Sequence, residues 1–263
     1  MPAYINTNVA SINTVRILDS SQKELTTSME RLSSGKRINH ARDDAAGMAI
    51  SSKMTSQING MNQAVRNTND GISMVQTADG AMEGIADKLQ RMRELAVQSS
   101  NGIYSSSDRA ALDIEFQALD DEINRVASSA EFNGTNLIDA DAQIDIQVSY
   151  AADSTNGKIT VSLSGVDSTD LGINANVITS QAASSTAITA VDAALSTVNS
   201  ARATLGATQN RLETTVKDLK NNVENLSASR SRIEDADFAS ETAQLAKSQI
   251  LQQAGMAMLA QAN

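Results

Sequence analysis

The chain has 263 residues, a formal charge of −10 and a pI near 4.6, so it lacks the basic surface that nucleic acid or an anionic membrane requires. It has no Cys and no Trp, and aromatics make up 2%. That composition excludes disulfide and thiol chemistry and cannot fill a wide core, but it suits thin seams between long helices.

The single Pro is Pro2, so nothing breaks a helix over the rest of the chain. No run of 18 apolar residues exists, and the N-terminus has neither a basic nor an apolar leader region. Neither a membrane span nor a cleavable signal peptide is expected.

Over residues 4–32, Ile5, Val9, Ile12, Val15, Leu18, Leu25, Met29 and Leu32 recur at helical spacing among Ser, Thr and Asn. Burying each such side chain is worth about 1.5–3 kcal/mol, while ordering the backbone costs about 1–2 kcal/mol per residue. A helix this thinly striped is expected to be largely unfolded alone. Residues 33–47 then read as a loop, with Gly35 able to stop the first helix and Asp43 or Asp44 able to cap the next.

A heptad seam follows in Ile58, Met61, Val65, Thr68, Ile72, Val75, Asp79, Met82, Ala86, Leu89, Arg93 and Ala96. The cluster at 99–108 turns the chain, with Asp108 as a cap, before a shorter copy in Leu112, Phe116, Leu119, Ile123 and Val126. After Asn133-Gly134 the period changes to two. Ile144, Ile146, Val148 and Tyr150 alternate with polar residues, Asn156-Gly157 marks a turn, and Ile159, Val161 and Leu163 resume the alternation. This predicts a β-hairpin over about 143–164. Residues 165–186, rich in Ser, Thr, Asp and Asn, read as an exposed outer connection.

The longest seam spans 188–226, in Ile188, Val191, Leu195, Val198, Arg202, Leu205, Gln209, Leu212, Val216, Leu219, Val223 and Leu226. It predicts a rod-like helix packed lengthwise on another. The last segment, 233–259, is weak like the first: Phe238, Leu245 and Leu259 fall on sevens, with Met256 beside Leu259. The fold class is mainly α, a rod-like bundle of long antiparallel coiled-coil helices with a small β-hairpin and with the N- and C-termini paired.

Few residues invite chemistry. Gly35-Lys36 is no phosphate loop, because Glu30 and Arg37 stand where that loop needs Gly and Ser or Thr. Asp43-Asp44 and Asp120-Asp121-Glu122 read as caps and solvated faces rather than metal ligands. His40 has no second His or Cys to join it. Neither catalysis nor a cofactor is expected. The stretch 91–98 differs in kind: Leu95 falls off the seam, so spacing points it outward, rimmed by Arg91, Arg93 and Glu94. It reads as an anchor for a partner or as a lone surface Leu, and spacing alone favours the latter.

Several blocks together resemble bacterial flagellin: INTNVASINT at 5–14, RLSSGKRINHARDDAAGMAIS at 31–51, MRELAVQSSNG at 92–102, EFNGTNL at 131–137, and RIEDADFASETAQLAKSQILQQAGMAMLAQAN at 232–263. The resemblance implies a subunit that self-assembles into the hollow helical tube of the flagellar filament for swimming. Within that resemblance the chain looks like a short form without large outer domains. Residues 1–42 and 228–263 would pair as an inner coiled coil lining the channel, disordered in the monomer, with a seam of Ile5, Val9, Ile12, Leu25, Met29 and Leu32 against Phe238, Leu245, Met256 and Leu259. Residues 43–227 would form the rod.

The same resemblance implies type III export without signal cleavage, an extracellular location, and partnership with the flagellar cap and hook-junction proteins and with an export chaperone at the C-terminal segment. Arg91, Leu95, Gln98 and Glu115 match positions through which flagellin monomers bind the flagellin-sensing Toll-like receptor, which turns the reading of Leu95 toward an anchor. His40 stands where the family has a small polar residue, and after Asn263 members commonly continue with a short Leu-rich segment. The competing readings are a hook–filament junction protein and an intracellular coiled-coil adaptor; a protease insert lacks its HExxH.

Overall fold

The computed structural model describes residues 8–151 and 157–262; Ile5 of the expected seam and Asn156 of the expected turn lie outside the described residues. Five helices carry the described chain: α1 Val9–Ser34, α2 Ala45–Ser99, α3 Ser106–Ser129, α4 Gln181–Glu234 and α5 Phe238–Ala262. The chain divides into two compact units, one holding its two ends as far as Ile58 and from Val223, the other Asn59–Asn222.

In the first unit the expected punctuation holds. The Asn8 side chain caps α1 by accepting from the Ser11 N–H at 3.1 Å. Gly35, at φ 71°, ends α1 with its N–H donating to the Arg31 carbonyl; this backbone setting costs a residue with a Cβ. Asp44 opens α2, its Oδ1 accepting from Gly47 N–H at 2.8 Å. Ile233 belongs to the last turn of α4, so the final helix starts later than expected, at Phe238.

The two chain reversals are stapled together. Lys36 and Asp235 form an antiparallel bridge, Arg37 N–H donates to the Glu234 carbonyl at 2.6 Å and Ala236 N–H to the Gly35 carbonyl at 3.0 Å. The Glu234 carboxylate takes Lys36 and the Ser51 hydroxyl. Those bonds hold its pKa below the ordinary Glu value, Lys36 contributing most and Ser51 next.

In the second unit α2 and α4 run antiparallel, as Arg93 pairs with Asp192 at 2.6 Å and Asp79 with Arg202 at 2.8 Å. The seams are real but half of each is shifted by one residue. On α4 one buried row is Val191, Val198, Leu205, Leu212 and Leu219, as expected; the other is Ala187, Ala194, Ala201 and Thr208, not Ile188, Leu195, Arg202 and Gln209, which flank it half-buried. On α2, likewise, Met61, Thr68, Val75, Met82, Leu89 and Ala96 are buried with Ala64, Ala78, Ile85 and Met92, while Val65, Ile72 and Asp79 sit half-buried beside them and Arg93 is exposed. On α4 small side chains take the inner position because they let the backbones approach, and the larger neighbours then cover the edge; on α2 Ala64 and Ala78 do the same, while Ile85 and Met92 enter the core as large side chains.

α3 starts at a capping box in which Ser105, not Asp108, is the cap and Asp108 reaches back to the Ser105 N–H. Phe116 and Ile123 are fully buried. A miniature hairpin follows, β1 Glu131–Phe132 with β2 Thr135–Asn136. Its turn is Asn133 and Gly134, at φ 51° and 77°, the left-handed pair a two-residue turn needs. The expected hairpin is β3 Ala142–Gln147 with β4 Lys158–Leu163, in register from Ala142–Leu163 to Gln147–Lys158. Ile146, Ile159, Val161 and Leu163 face the core, and Asp145 bonds Thr160 and Lys158 on the outer face.

Residues 165–178 are not the exposed connection that their composition predicts. Val166, Leu171, Ile173 and Ile178 are buried, and polar side chains of α2 and α3 satisfy the backbone. Asn124 accepts from Ser168 N–H at 3.0 Å, Asp113 from Ile178 N–H at 2.7 Å, and Gln117 and Ser99 donate to the carbonyls of Asn176 and Ile178. Four apolar residues spaced through a polar stretch are enough to dock it, since α4 already begins at Gln181.

Candidate functional site

Two surfaces stand out. The first is the outer face of the α1–α5 pair. These helices meet along Ser11, Thr14, Leu18, Ser21, Leu25, Ser28 and Leu32 of α1 and Glu241, Leu245, Ser248, Gln252, Gly255 and Leu259 of α5, all buried or half-buried. Three serines, Ser21, Ser28 and Ser248, are the most enclosed members. A Cβ at Gly255 would lie 3.4 Å from Leu18 Cδ1. Polar links cross the pair: Gln244 to Glu24 at 3.2 Å, Arg31 to Glu241 at 3.7 Å, and Gln252 to Gln22.

Apart from those leucines, the large apolar side chains are elsewhere. Val9, Ile12, Val15, Ile17 and Met29 on α1 are half or more exposed, as are Phe238, Ile250, Met256 and Met258 on α5; Val9 and Ile250 reach 65%. This corrects the expected seam. Leu25, Leu32, Leu245 and Leu259 do lie between the helices, but Val9, Ile12, Met29, Phe238 and Met256 face outward. Each helix carries two stripes, and the one rich in Ser and Gly permits the close intrachain contact. Val15, Ile17, Ile250, Leu251 and Met258 complete the outward set, and the excess of apolar residues over one stripe signals it in the sequence. These two helices leave nine large apolar side chains half or more exposed, and monomeric soluble proteins rarely leave large apolar patches uncovered.

The second surface lies where α2 passes α3 and α4. Arg91 bridges Glu94 at 2.9 Å and Glu115 at 2.8 Å, and those two carboxylates hold its guanidinium more firmly charged, the hydrogen bond to Glu94 being the largest single cause. Gln98 donates to the Tyr104 hydroxyl at 3.3 Å. Three of the four expected contact residues, Arg91, Gln98 and Glu115, are thus exposed on one face. Leu95 is not: it is fully buried. The outward reading assumed one narrow stripe, but α2 is covered from two sides, by α3 through Arg91–Glu115 and by α4 through Arg93–Asp192. The apolar residue that does reach the surface is Val97, which with Gln90, Arg93, Glu94 and Gln98 lines a shallow hollow of about 480 Å³.

Asp43 accepts from the N–H groups of Asn39 and His40 in the loop before α2, and His40 Nε2 lies 2.7 Å from Glu30. Among the described residues no three His, Cys, Asp or Glu are placed to hold a metal ion, and no helix is long and apolar enough to cross a membrane.

Two family descriptions match the chain: the bacterial flagellin N-terminal helical region over residues 5–143 and the bacterial flagellin C-terminal helical region over residues 188–263. A flagellin of Halalkalibacterium halodurans is 46% identical over 261 residues, covering 98% of this chain and 95% of that protein. The flagellar filament core protein flaB2 of Brachyspira hyodysenteriae is 42% identical with the same coverage. Among solved structures, a Bacillus cereus flagellin superposes with a TM-score of 0.51 at 33% identity, covering 63% of this chain and 94% of that one. A flagellar hook-associated protein from Vibrio parahaemolyticus, with a TM-score of 0.60 at 12% identity over 73% of this chain and 100% of that one, shares the fold.

Proposed function

Because this chain belongs to the bacterial flagellin family, and is a structural subunit that assembles with copies of itself into the flagellar filament, we propose how its parts divide that work. Residues 1–42 and 228–263 form the inner coiled-coil domain that lines the filament channel, and residues 43–227 form the rod domain. The observation that carries this reading is the uncovered apolar face of α1 and α5, from Val9 to Met29 and from Phe238 to Met258. A helix pair whose leucines stay half-buried and whose most enclosed members are serines gains little from its own contact. Its ordering is therefore coupled to burial against neighbouring copies.

The subunit reaches its site outside the cell through the flagellar type III apparatus without signal cleavage. It meets an export chaperone at its C-terminal segment and the cap and hook-junction proteins at the filament ends. As a monomer it presents Arg91, Gln98 and Glu115, with Leu95 supporting them from beneath, to the flagellin-sensing Toll-like receptor. We assign it no catalytic role, in keeping with a structural family. The hook–filament junction alternative is not favoured, since both family descriptions are those of flagellin.

Seeding purified protein with filament fragments and imaging it by electron microscopy tests the reading. Long tubes are expected; capped stubs or no polymer would overturn it. Hydrogen exchange of the dilute chain tests the inner domain separately. Amides of α1 and α5 should exchange far faster than those of α2 between 61 and 96, and equal protection would refute coupled ordering.

A further inference from the structure

A corner of the second unit holds carboxylates without a counter-cation. Asp120 on α3 is 8% exposed, and its Oδ1 has no hydrogen-bond partner. Its other support is the side chain of Ser168, itself buried in the docked segment 166–178. From its own helix it faces Asp121, and from the segment Asp167; no basic side chain contributes to its surroundings. The negative charge continues outward, for Asp170 in turn faces Asp167, Asp141 and Asp139. On the neighbouring turn of α3, Arg125 is engaged in a bidentate pair with Glu122, which Lys88 of α2 also faces. Asn124, one turn along α3 from Asp120, holds the segment by accepting from the Ser168 N–H.

We propose that Asp120 is a proton-operated latch, its protonation fastening segment 166–178 onto α3 and its ionisation loosening that segment. Proton binding removes the enclosed charge, turns a carboxylate oxygen into an O–H that can donate to an acceptor of the segment, and ends the repulsion between Asp120 and Asp167. Burial is the main cause that pushes the Asp120 pKa up, in the direction this geometry requires. Since the folded form holds the proton more tightly than the unfolded chain, the docking is strongest in acid and weakens as pH rises through the folded value. The device does not depend on how the ends of the chain assemble.

Hydrogen exchange of the full-length chain in dilute solution tests it, followed from about pH 7 down through the ordinary Asp value of about 3.9 and corrected for intrinsic rates. The probes are the amides of Val166, Ser168 and Ile173, which bond to Ile138, Asn124 and Ser168. In the wild type their protection should rise on acidification relative to the α2 core, by at most about tenfold per pH unit, the limit for one proton. Asp120→Asn should show the acid level of protection at every pH. A wild type without the rise, or an Asp120→Asn chain that keeps it, overturns the proposal. Carbon-13 titration of the wild-type Asp120 carboxyl needs no variant: a midpoint above the ordinary Asp value of about 3.9 supports the latch, and one at or below it refutes it.

Discussion

Leu95 and Arg91 are four residues apart on α2, yet their substitutions should fail in different ways. Leu95 is enclosed, so Leu95→Ala removes transferred surface and leaves a cavity, a loss of about 2–5 kcal/mol that urea unfolding of the monomer will read. Arg91 is an exposed partner of two carboxylates, and Arg91→Ala should leave the unfolding midpoint nearly unchanged, solvent screening such a pair, while lowering receptor dose-response. If the two variants lose equal stability, the placement of Leu95 is wrong. Glu234 gives a residue-scale prediction in pH. Its folded pKa lies below 4.5 because Lys36 and Ser51 bond the carboxylate, so its contribution is whole above that value and is lost as pH falls through the folded one. Acidification should therefore expose the Arg37 amide, which bonds the Glu234 carbonyl, and Glu234→Gln should leave that amide weakly protected at every pH. Single-residue roles were legible where local chemistry decides them, as with Gly35 and Asp44. They were not legible for Leu95, whose burial depends on a second covering helix that no local pattern reveals.

At the level of elements, heptad spacing located every long helix but misplaced half of each seam. A pattern that counts large apolar side chains passes over Ala187, Ala194 and Ala201, although it is their smallness that brings them inward. The docked segment 166–178 escaped for the opposite reason, its few apolar residues being diluted by Ser, Thr and Asp. Asn133-Gly134 was a turn signal in plain sight, and the strands it joins are only two residues each. Where β3 and β4 lie against α2, the helix is notched by glycine. A Cβ at Gly60 would stand 2.6 Å from Tyr150 Cβ, and one at Gly71 2.2 Å from Ile146 Cδ1. Gly60→Ala must move a backbone-proximal atom and should destabilise by about 1–3 kcal/mol; at Gly71 the obstacle is the tip of a flexible side chain, so the loss should be smaller. On α4, Gly206 has nothing within 4 Å of such an atom, so Gly206→Ala should stabilise the monomer by about 0.5–1 kcal/mol. Thermal unfolding of the three variants checks the ordering, and a destabilised Gly206→Ala would contradict it.

For the molecule as a whole, removing residues 1–32 and 233–263 should leave a soluble, helical chain whose unfolding midpoint in urea is close to that of the full chain and which does not polymerise. Loss of most helical signal on truncation would mean that the ends support the second unit after all. The sequence showed that both ends were thinly striped and wanted a partner. It did not show that the serines would face inward and the valines, isoleucines and methionines outward, because α1 and α5 each offer two stripes and periodicity does not say which one the other helix takes.

Under the proposed assembly, that inversion would make every chain the scaffold for the next. A copy carrying Ile250→Asp would still dock its rod, yet would offer a charged side chain where its successor needs a greasy one. Mixed with wild type, such a copy should poison growth at a small mole fraction, shortening filaments far more than its share of the chains, and a strictly proportional shortening would show that the outward face is not where copies meet.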